Sequence, residues 1–269
     1  MSYETIVVAQ EGWVRTITLN RPERRNAMTP QMQDELIAAF DEAGTSDCRV
    51  VVLKGAGDAF CSGLDLSVLQ GAKEKSAAEH RADAERIARL FRTLSELPKP
   101  TIAAVHGAAV AGGTGLATIC DVTLAVPTAK FGYTEARIGF VPALVSAYLV
   151  LQIGEKQARG LLLTGRLFDA GEACRLGLVN EVVAAEELEA RVKTLAGALA
   201  ENSPSSLSAT KKLLAAQSKA WLDAAVALSM DANAAARETP DFYEGVTAFL
   251  EKRKAVWSSC AESCADGEG

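Results

Sequence analysis

Two glycine turns, each placed after an apolar β-branched segment, constrain this chain more than any other feature. The first lies within residues 59–66 (AFCSGLDL), after the segment at 50–53, and the second within residues 109–115 (AVAGGTG), after the segment at 101–105. Such a segment predicts a buried strand, and a glycine turn beyond it can leave backbone N–H groups free. Two such groups aimed at one spot form an oxyanion hole, in which each donor contributes roughly 3–4 kcal/mol to a transition state.

Composition sets the broad class of the protein. The 269 residues, 49% hydrophobic and 23% charged, suit one large domain or a core with a small appendage. The six cysteines lack metal-ligand spacing and residues 1–4 lack a signal-peptide pattern, which predicts a reduced, cytoplasmic protein with no metal site. No apolar run reaches the ~20 residues that cross a bilayer. A net charge of −6 argues against nucleic-acid binding, although clustered cations could still hold a small anion.

The first 140 residues alternate between strand and helix patterns. Residues 5–8 and 14–19 predict an opening hairpin, Thr29 caps a predicted helix at 31–43, and a charged helix is predicted over 76–97. With the buried segments and a further strand at 122–126, the strand count reaches five or six. This alternation is typical of an α/β protein.

The remainder predicts helices, and it sets the expected domain limits. We expect an α/β core over residues 1–202, a helical region over 203–257 and a disordered tail over 258–269, with the boundary at Asn202-Ser203-Pro204. The helices are predicted at 143–152, 155–163, 170–175, 185–200, 205–216, 221–236 and 241–256. Cys260 and Cys264 of the tail are too few for a structural zinc site.

Five segments together carry a family resemblance. They are residues 20–28 (NRPERRNAM), the two glycine turns, residues 131–139 (FGYTEARIG) and residues 249–253 (FLEKR). In this order and spacing the chain resembles the crotonase (enoyl-CoA hydratase/isomerase) family. The resemblance implies a spiral of βαβ units with C-terminal helices that assemble homotrimers or dimers of trimers. It also implies an acyl-CoA thioester substrate, with coenzyme A as part of the substrate and no tightly bound cofactor.

The resemblance also implies which residues hold the thioester. Its carbonyl oxygen would lie between the N–H groups of Leu64 and Gly112, and Gly112 would open a helix whose dipole supports that donor. The alternative for these glycines is tight packing of strand against helix. Asp65 is expected to cap the turn rather than titrate. The full set of expected thioester-binding residues is Arg24, Arg25, Ala27, Cys61, Gly63, Asp65, Leu66, Gly113, Phe249 and Lys252. By the same resemblance, Phe249 and Lys252, the latter within the final predicted helix, reach the nucleotide from a neighbouring subunit.

One carboxylate stands where the family's hydratases have two. Those enzymes carry a glutamate two residues after the Gly-Gly turn, where this chain has Gly115, and a second at the position of Glu135. Water, Thr114, Tyr133 or another carboxylate could fill the space at Gly115. Water addition needs a group that activates water and one that handles the α-proton, whereas moving a double bond needs a single proton shuttle.

The sequence therefore favours isomerisation of a 3-enoyl to a 2-enoyl thioester through Glu135, with hydration as the alternative. An acyl-CoA decarboxylase and a catalytically silent acyl-CoA-binding subunit are further alternatives, and Glu135 could instead be a surface carboxylate. A catalytic Glu135 must be buried enough to raise its pKa. The bulky segment 141–146 predicts an altered acyl pocket, His80 is predicted to face solvent, and His106 is predicted to be a hydrogen-bonded structural residue.

Overall fold

The structure is a computed structural model that describes residues 3–258. Its strands are β1 (Ile6–Glu11), β2 (Val14–Leu19), β3 (Val50–Gly55), β4 (Ala59–Cys61), β5 (Thr101–Val105), β6 (Ala108–Val110), β7 (Val122–Ala125), β8 (Lys130–Gly132), β9 (Leu167–Asp169) and β10 (Glu181–Val182). Its α-helices are α1 (Pro30–Thr45), α2 (Leu66–Gln70), α3 (Ala77–Ser95), α4 (Gly112–Ile119), α5 (Ala143–Thr164), α6 (Ala170–Leu176), α7 (Leu188–Glu201), α8 (Pro204–Ala236) and α9 (Pro240–Leu250).

The larger sheet contains the strands that the sequence predicts. Its order is β1-β2-β3-β5-β7-β10, antiparallel only between β1 and β2, with Ile6 opposite Leu19. The run Val50 to Leu53 is buried at every position, as expected of a parallel strand covered on both faces. The predicted hairpin, buried strands and α/β class are thus confirmed.

The smaller sheet brings the two glycine turns together. It has the order β4-β6-β8-β9, and β4, β6 and β8 run parallel. The chain passes from β3 to β4, from β5 to β6 and from β7 to β8, so it repeatedly crosses from one sheet to the other. Each glycine turn follows a three-residue strand of the second sheet and not the long strand predicted to precede it. The result is the expected crotonase-type spiral.

The helices depart from the predicted pattern at three places. The segments 205–216 and 221–236 form one helix, α8, because residues 217–220 contain neither glycine nor proline. Two further predicted helices join in α5, which is kinked at Gly154 (φ 75°). The last helix ends at Leu250, so the prediction that Lys252 lies within it is wrong; Lys252 instead has φ 55°.

The prediction that His80 faces solvent is also wrong. Its side chain is 1% exposed, because α8 packs against α3 over the face that carries it. Burial, together with the charge of Arg237, lowers the pKa of His80. Nε2 of His106 donates a 2.7 Å hydrogen bond to the carbonyl oxygen of Gly57, consistent with a structural role.

Ser203 caps α8 with its hydroxyl, which accepts from the N–H of Ser206, so the expected division at residue 202 coincides with a helix start. The three-part division itself stays a prediction. Of the expected tail, residues 259–269 with Cys260 and Cys264 lie outside the described residues. Within residues 3–258, no helix has both the length and the apolar character required to cross a membrane.

Candidate active site

A cavity of about 580 Å³ is lined by residues of the smaller sheet, of α3 and of the N-terminal end of α5. Leu64 and Gly112 from the glycine turns line it together with Glu135. Its other walls are mostly apolar. They include Met28, Leu69, Ile87, Phe91, Val110, Ile138, Phe140, Val141, Pro142, Ala143, Leu144, Val145, Leu167 and Phe249. The bulky segment 141–146 that the sequence singles out thus contributes five of the lining residues.

The first turn leaves the N–H of Leu64 free. Met28 donates to the carbonyl oxygen of Gly63 at 2.7 Å, and Asp65 donates to the carbonyl oxygen of Met28 at 2.9 Å. Between these two bonds, the N–H of Leu64 has no partner among residues 3–258. Gly63 has φ 90°, a conformation that favours glycine. A Cβ on Gly63 would come within 3.0 Å of the Cβ of Ala111, so the two turns are in contact.

The second turn leaves the N–H of Gly112 free in the same way. Ala111 precedes α4 with φ 52° and ψ −125°, a strained conformation for a residue with a side chain. It is held there because its N–H donates to the carbonyl oxygen of Gly132 at 2.7 Å. Gly112 is then the first residue of α4, and in the described part of the chain its N–H meets no acceptor. The positive end of the helix dipole adds to this donor.

Glu135 supplies a carboxyl group to the same cavity. It begins a 3-10 helix (Glu135–Ile138) soon after β8 and is 8% exposed, so the alternative of a surface carboxylate is wrong. Its Oε2 is buried and has no hydrogen-bond partner in the described structure. Burial raises the pKa of Glu135 to about 7. A carboxyl group with this pKa can both take up and release a proton near neutral pH.

Apolar side chains occupy the space beside Gly115. A Cβ on Gly115 would lie 2.7 Å from Cγ1 of Val145 and 3.0 Å from Cζ of Phe91. The hydroxyl of Thr114 is committed to backbone, donating to the carbonyl oxygen of Ala109 at 2.7 Å. Tyr133 is buried, which raises the pKa of its phenol. Neither residue lines the cavity, so neither replaces the missing carboxylate.

Three arginines place positive charge on the wall of the cavity. Arg24, Arg25 and Arg137 line it, and none of them forms an ion pair with a residue of the described chain. Glu23, which also lines the cavity, is the neighbour of Arg24. Unpaired guanidinium groups are suited to bind phosphate groups.

Asp65 positions the first turn. Its carboxylate accepts from Nη1 of Arg21 at 2.8 Å and from the N–H of Ser67 at 3.0 Å, which caps α2. Burial works to raise the pKa of Asp65, but the hydrogen bonds from Ser67 and Arg21 outweigh it and hold the pKa below its ordinary value. Asp65 therefore stays ionised and caps the helix, as the sequence predicts.

The other expected residues do not all reach the cavity. Arg24, Arg25, Leu64, Gly112, Glu135 and Phe249 line it, whereas Ala27, Cys61, Gly63, Asp65, Gly113 and Lys252 do not. Cys61 and Gly113 pack against each other behind the wall, and Cys61 is fully buried. Leu66 is the first residue of α2. Sequence reasoning missed Asn233 and Arg137 as lining residues. No motif marks Asn233, and Arg137 lies within the segment 131–139 without being singled out there.

The family follows from comparison with known proteins. A family model described as Enoyl-CoA hydratase/isomerase matches residues 9–260. The chain belongs to the enoyl-CoA hydratase/isomerase family. It is an enzyme of this family.

Similar proteins share nearly the full length of this crotonase-family chain. A Thermus thermophilus protein with the provisional name of enoyl-CoA hydratase is 46% identical over 92% of this chain and 98% of its own length. The crotonyl-CoA hydratase of Syntrophomonas wolfei is 34% identical over 96% of this chain and 100% of its own. The crystal structure of an enoyl-CoA hydratase/isomerase from Xanthobacter autotrophicus superposes with a TM-score of 0.87 at 30% identity, covering 98% of this chain and 97% of that one.

Proposed function

We propose that this crotonase-family enzyme adds water to a 2-enoyl-CoA thioester, with Glu135 as its single acid–base group. The observation that carries the proposal is the unpartnered, buried Oε2 of Glu135, in one cavity with the free N–H groups of Leu64 and Gly112. The names of the similar proteins support hydration over the isomerisation that the sequence favours.

The two N–H groups act on the thioester carbonyl. When its oxygen accepts a hydrogen bond from Leu64 and from Gly112, electron density moves from the C2–C3 double bond towards that oxygen. Negative charge develops there as the enolate forms, so both hydrogen bonds strengthen in the transition state. The dipole of α4 and the apolar walls of the cavity enhance this effect.

Glu135 moves one proton from water to carbon. As the carboxylate, it accepts a proton from a water molecule while the water oxygen bonds to C3 of the thioester. The enolate that results takes the same proton from the neutral Glu135 carboxyl at C2, which regenerates the carboxylate. The product is the 3-hydroxyacyl thioester. A pKa of about 7 suits both steps, because the protonated and ionised forms of Glu135 are similar in free energy near neutral pH.

The nucleotide portion of the substrate binds to the arginines of the cavity wall. Arg24, Arg25 and Arg137 provide three positive charges for the phosphates of coenzyme A, and Phe249 adds an apolar surface. Ala27 and Lys252 belong to the same proposed binding region.

The exposed leucines of α8, Leu213 and Leu228 among them, support the proposal that this helix contributes to a homotrimer or dimer of trimers.

Isomerisation is the second candidate, favoured by the apolar wall beside Gly115. Val145 and Phe91 fill the region where a second carboxylate would be needed, and moving a double bond requires only one shuttle. Glu135 would then take a proton from C2 of a 3-enoyl thioester and return it at C4.

Incubation with two substrates separates these candidates. The purified enzyme is given a 2-enoyl-CoA and, separately, the 3-enoyl-CoA of the same length, and the products are followed by mass and chromatography. Hydration adds one water to the 2-enoyl thioester without a lag. Conversion of the 3-enoyl to the 2-enoyl thioester, with no hydrated product from either, would replace the proposal by isomerisation. The same incubations are repeated with the Glu135→Gln variant, and any product that still forms does not depend on Glu135.

A further inference from the structure

A buried chain of charged and polar groups ends at the cavity wall and has no role in the chemistry above. It begins at Asp83 of α3, whose carboxylate accepts from Nζ of Lys75 at 2.6 Å and from Nη1 of Arg237 at 3.3 Å. Arg237 follows the last residue of α8 and is 1% exposed, with its guanidinium 5.4 Å from the centre of the Phe140 ring. Asn233, one turn earlier on α8, connects this charge to the cavity.

The Arg237 contact determines the orientation of the Asn233 amide. Nε of Arg237 lies 3.3 Å from Oδ1 of Asn233. A guanidinium nitrogen can only donate, so the amide atom that faces it must be the oxygen. The amide nitrogen is then directed away from Arg237. In the described structure Nδ2 of Asn233 donates to no acceptor, although the residue is only 4% exposed and lines the cavity.

A hydrogen-bond donor is therefore presented to an otherwise apolar part of the cavity. Ile87 and Phe91 of α3 line the same cavity, as does Phe140 from the segment after Glu135. A plain alkyl chain bound there would leave the Asn233 N–H groups without a partner and without water, which is unfavourable. An oxygen on the chain would accept the hydrogen bond. The charge of Arg237 polarises the amide and strengthens its N–H as a donor.

We propose that Asn233 is a specificity-determining residue that selects acyl chains carrying a hydrogen-bond-accepting oxygen, a ketone or a hydroxyl group. The inference rests on the proposed function, since it takes the cavity to be the acyl-CoA site. Asp83 and Arg237 are positioning residues that hold the amide in its orientation. A carboxylate on the chain is excluded from the favoured class, because Arg237 is behind Asn233 and does not line the cavity.

The test compares matched thioesters. Calorimetry measures the binding of saturated acyl-CoA esters with a ketone at chain carbon five, six or seven, beside the plain ester of each length and one with a terminal carboxylate. The best oxo ester should bind about tenfold tighter than its plain counterpart, the gain from one buried hydrogen bond. The same ratio should appear in kcat/KM for the corresponding 2-enoyl esters.

Three variants identify the source of that ratio. Asn233→Leu removes the donor, so the ratio should fall to about one. Asn233→Asp keeps an oxygen for Arg237 and replaces the donor by an acceptor, so preference for the ketone should also be lost. Ser229→Ala, a change at another buried polar residue of α8 that does not line the cavity, should retain the ratio.

The outcomes separate this inference from the proposed function. Binding of all the thioesters with equal affinity, or a ratio unchanged in Asn233→Leu, would overturn the role of Asn233 alone. Tighter binding of the carboxylate ester would overturn the assignment to neutral oxygen groups. If no thioester binds, the acyl-CoA site itself is wrong. Thermal unfolding of each variant shows that it is folded before its ratio is compared.

Discussion

Replacement of Glu135 by glutamine should stabilise the enzyme, and the gain should depend on pH. The pKa of Glu135 is about 7 in the folded protein against an ordinary value of 4.5, and burial is the cause. Between those two pH values the unfolded chain has released the proton and the folded chain has not. Stability of the wild type therefore falls as pH rises from about 4.5 to about 7 and is level above that. Glutamine carries no charge at any pH, so the variant lacks this loss.

The size of the effect follows from the two pKa values. Integrated over pH, the loss that Glu135 imposes is about 1 kcal/mol at pH 5 and about 3 kcal/mol at pH 8. The advantage of Glu135→Gln over the wild type should thus grow by about 2 kcal/mol between these two conditions. A catalytic group that destabilises the fold is typical of an active site.

Urea unfolding of both proteins at pH 5 and pH 8, at one protein concentration, measures this difference. Glu189→Gln, the same change at an exposed residue of α7, is the matched control and should show no dependence on pH beyond that of the wild type. An advantage of Glu135→Gln that is equal at both pH values would refute the reasoning, because it would mean that folding does not raise the pKa of Glu135.

Three further predictions concern activity and packing. The rate constant kcat/KM for hydration should rise with pH to a plateau, with an apparent pKa of about 7, since water can lose its proton only to ionised Glu135. A kcat/KM that does not change between pH 5 and pH 9 would contradict this prediction. Gly115→Glu should lower stability by about 1–3 kcal/mol through its clash with Val145, and Val145→Ala in the same chain should restore part of the loss in a urea titration. If Gly115→Glu alone is as stable as the wild type, the side chains beside Gly115 move aside without a cost in stability. The double variant Arg24→Gln/Arg25→Gln should raise KM for coenzyme A thioesters about tenfold or more and leave KM for pantetheine thioesters within twofold. The reason is that only the coenzyme A thioesters carry the nucleotide phosphates. An equal rise in both KM values would mean that the arginines do not bind those phosphates.

Short-range signals made much of the fold predictable. Thr29 caps α1 where its side chain and the following proline predict, and the β-branched run at 50–53 is a buried parallel strand. The second sheet was not predictable, because strands of three residues, such as β4 and β6, show no periodicity. The burial of His80 was missed for a different reason. It depends on the packing of α8 against α3, which the pattern of α3 alone does not reveal.

The candidate site, like the fold, could be predicted from the sequence only in part. The two glycine turns were identified from local sequence, because the glycines and the apolar segments before them mark them. The roles of Leu64, Gly112 and Glu135 were implied by the family resemblance. Asn233 could not be identified from its own sequence context. It reaches the cavity only through the path of α8, and the orientation of its amide is set by Arg237. Whether Gly115 leaves room for another group also depended on side chains distant in sequence.

The turnover of Glu135→Gln tests the central claim most directly. The variant and the wild type are compared in single-turnover hydration of a 2-enoyl-CoA at pH 7, and binding of the saturated thioester is measured in parallel. Loss of the only acid–base group should lower the rate by about 10²–10⁴-fold while the thioester still binds with similar affinity. A variant that hydrates the substrate within a fewfold of the wild-type rate would contradict the account, because another group would then move the proton.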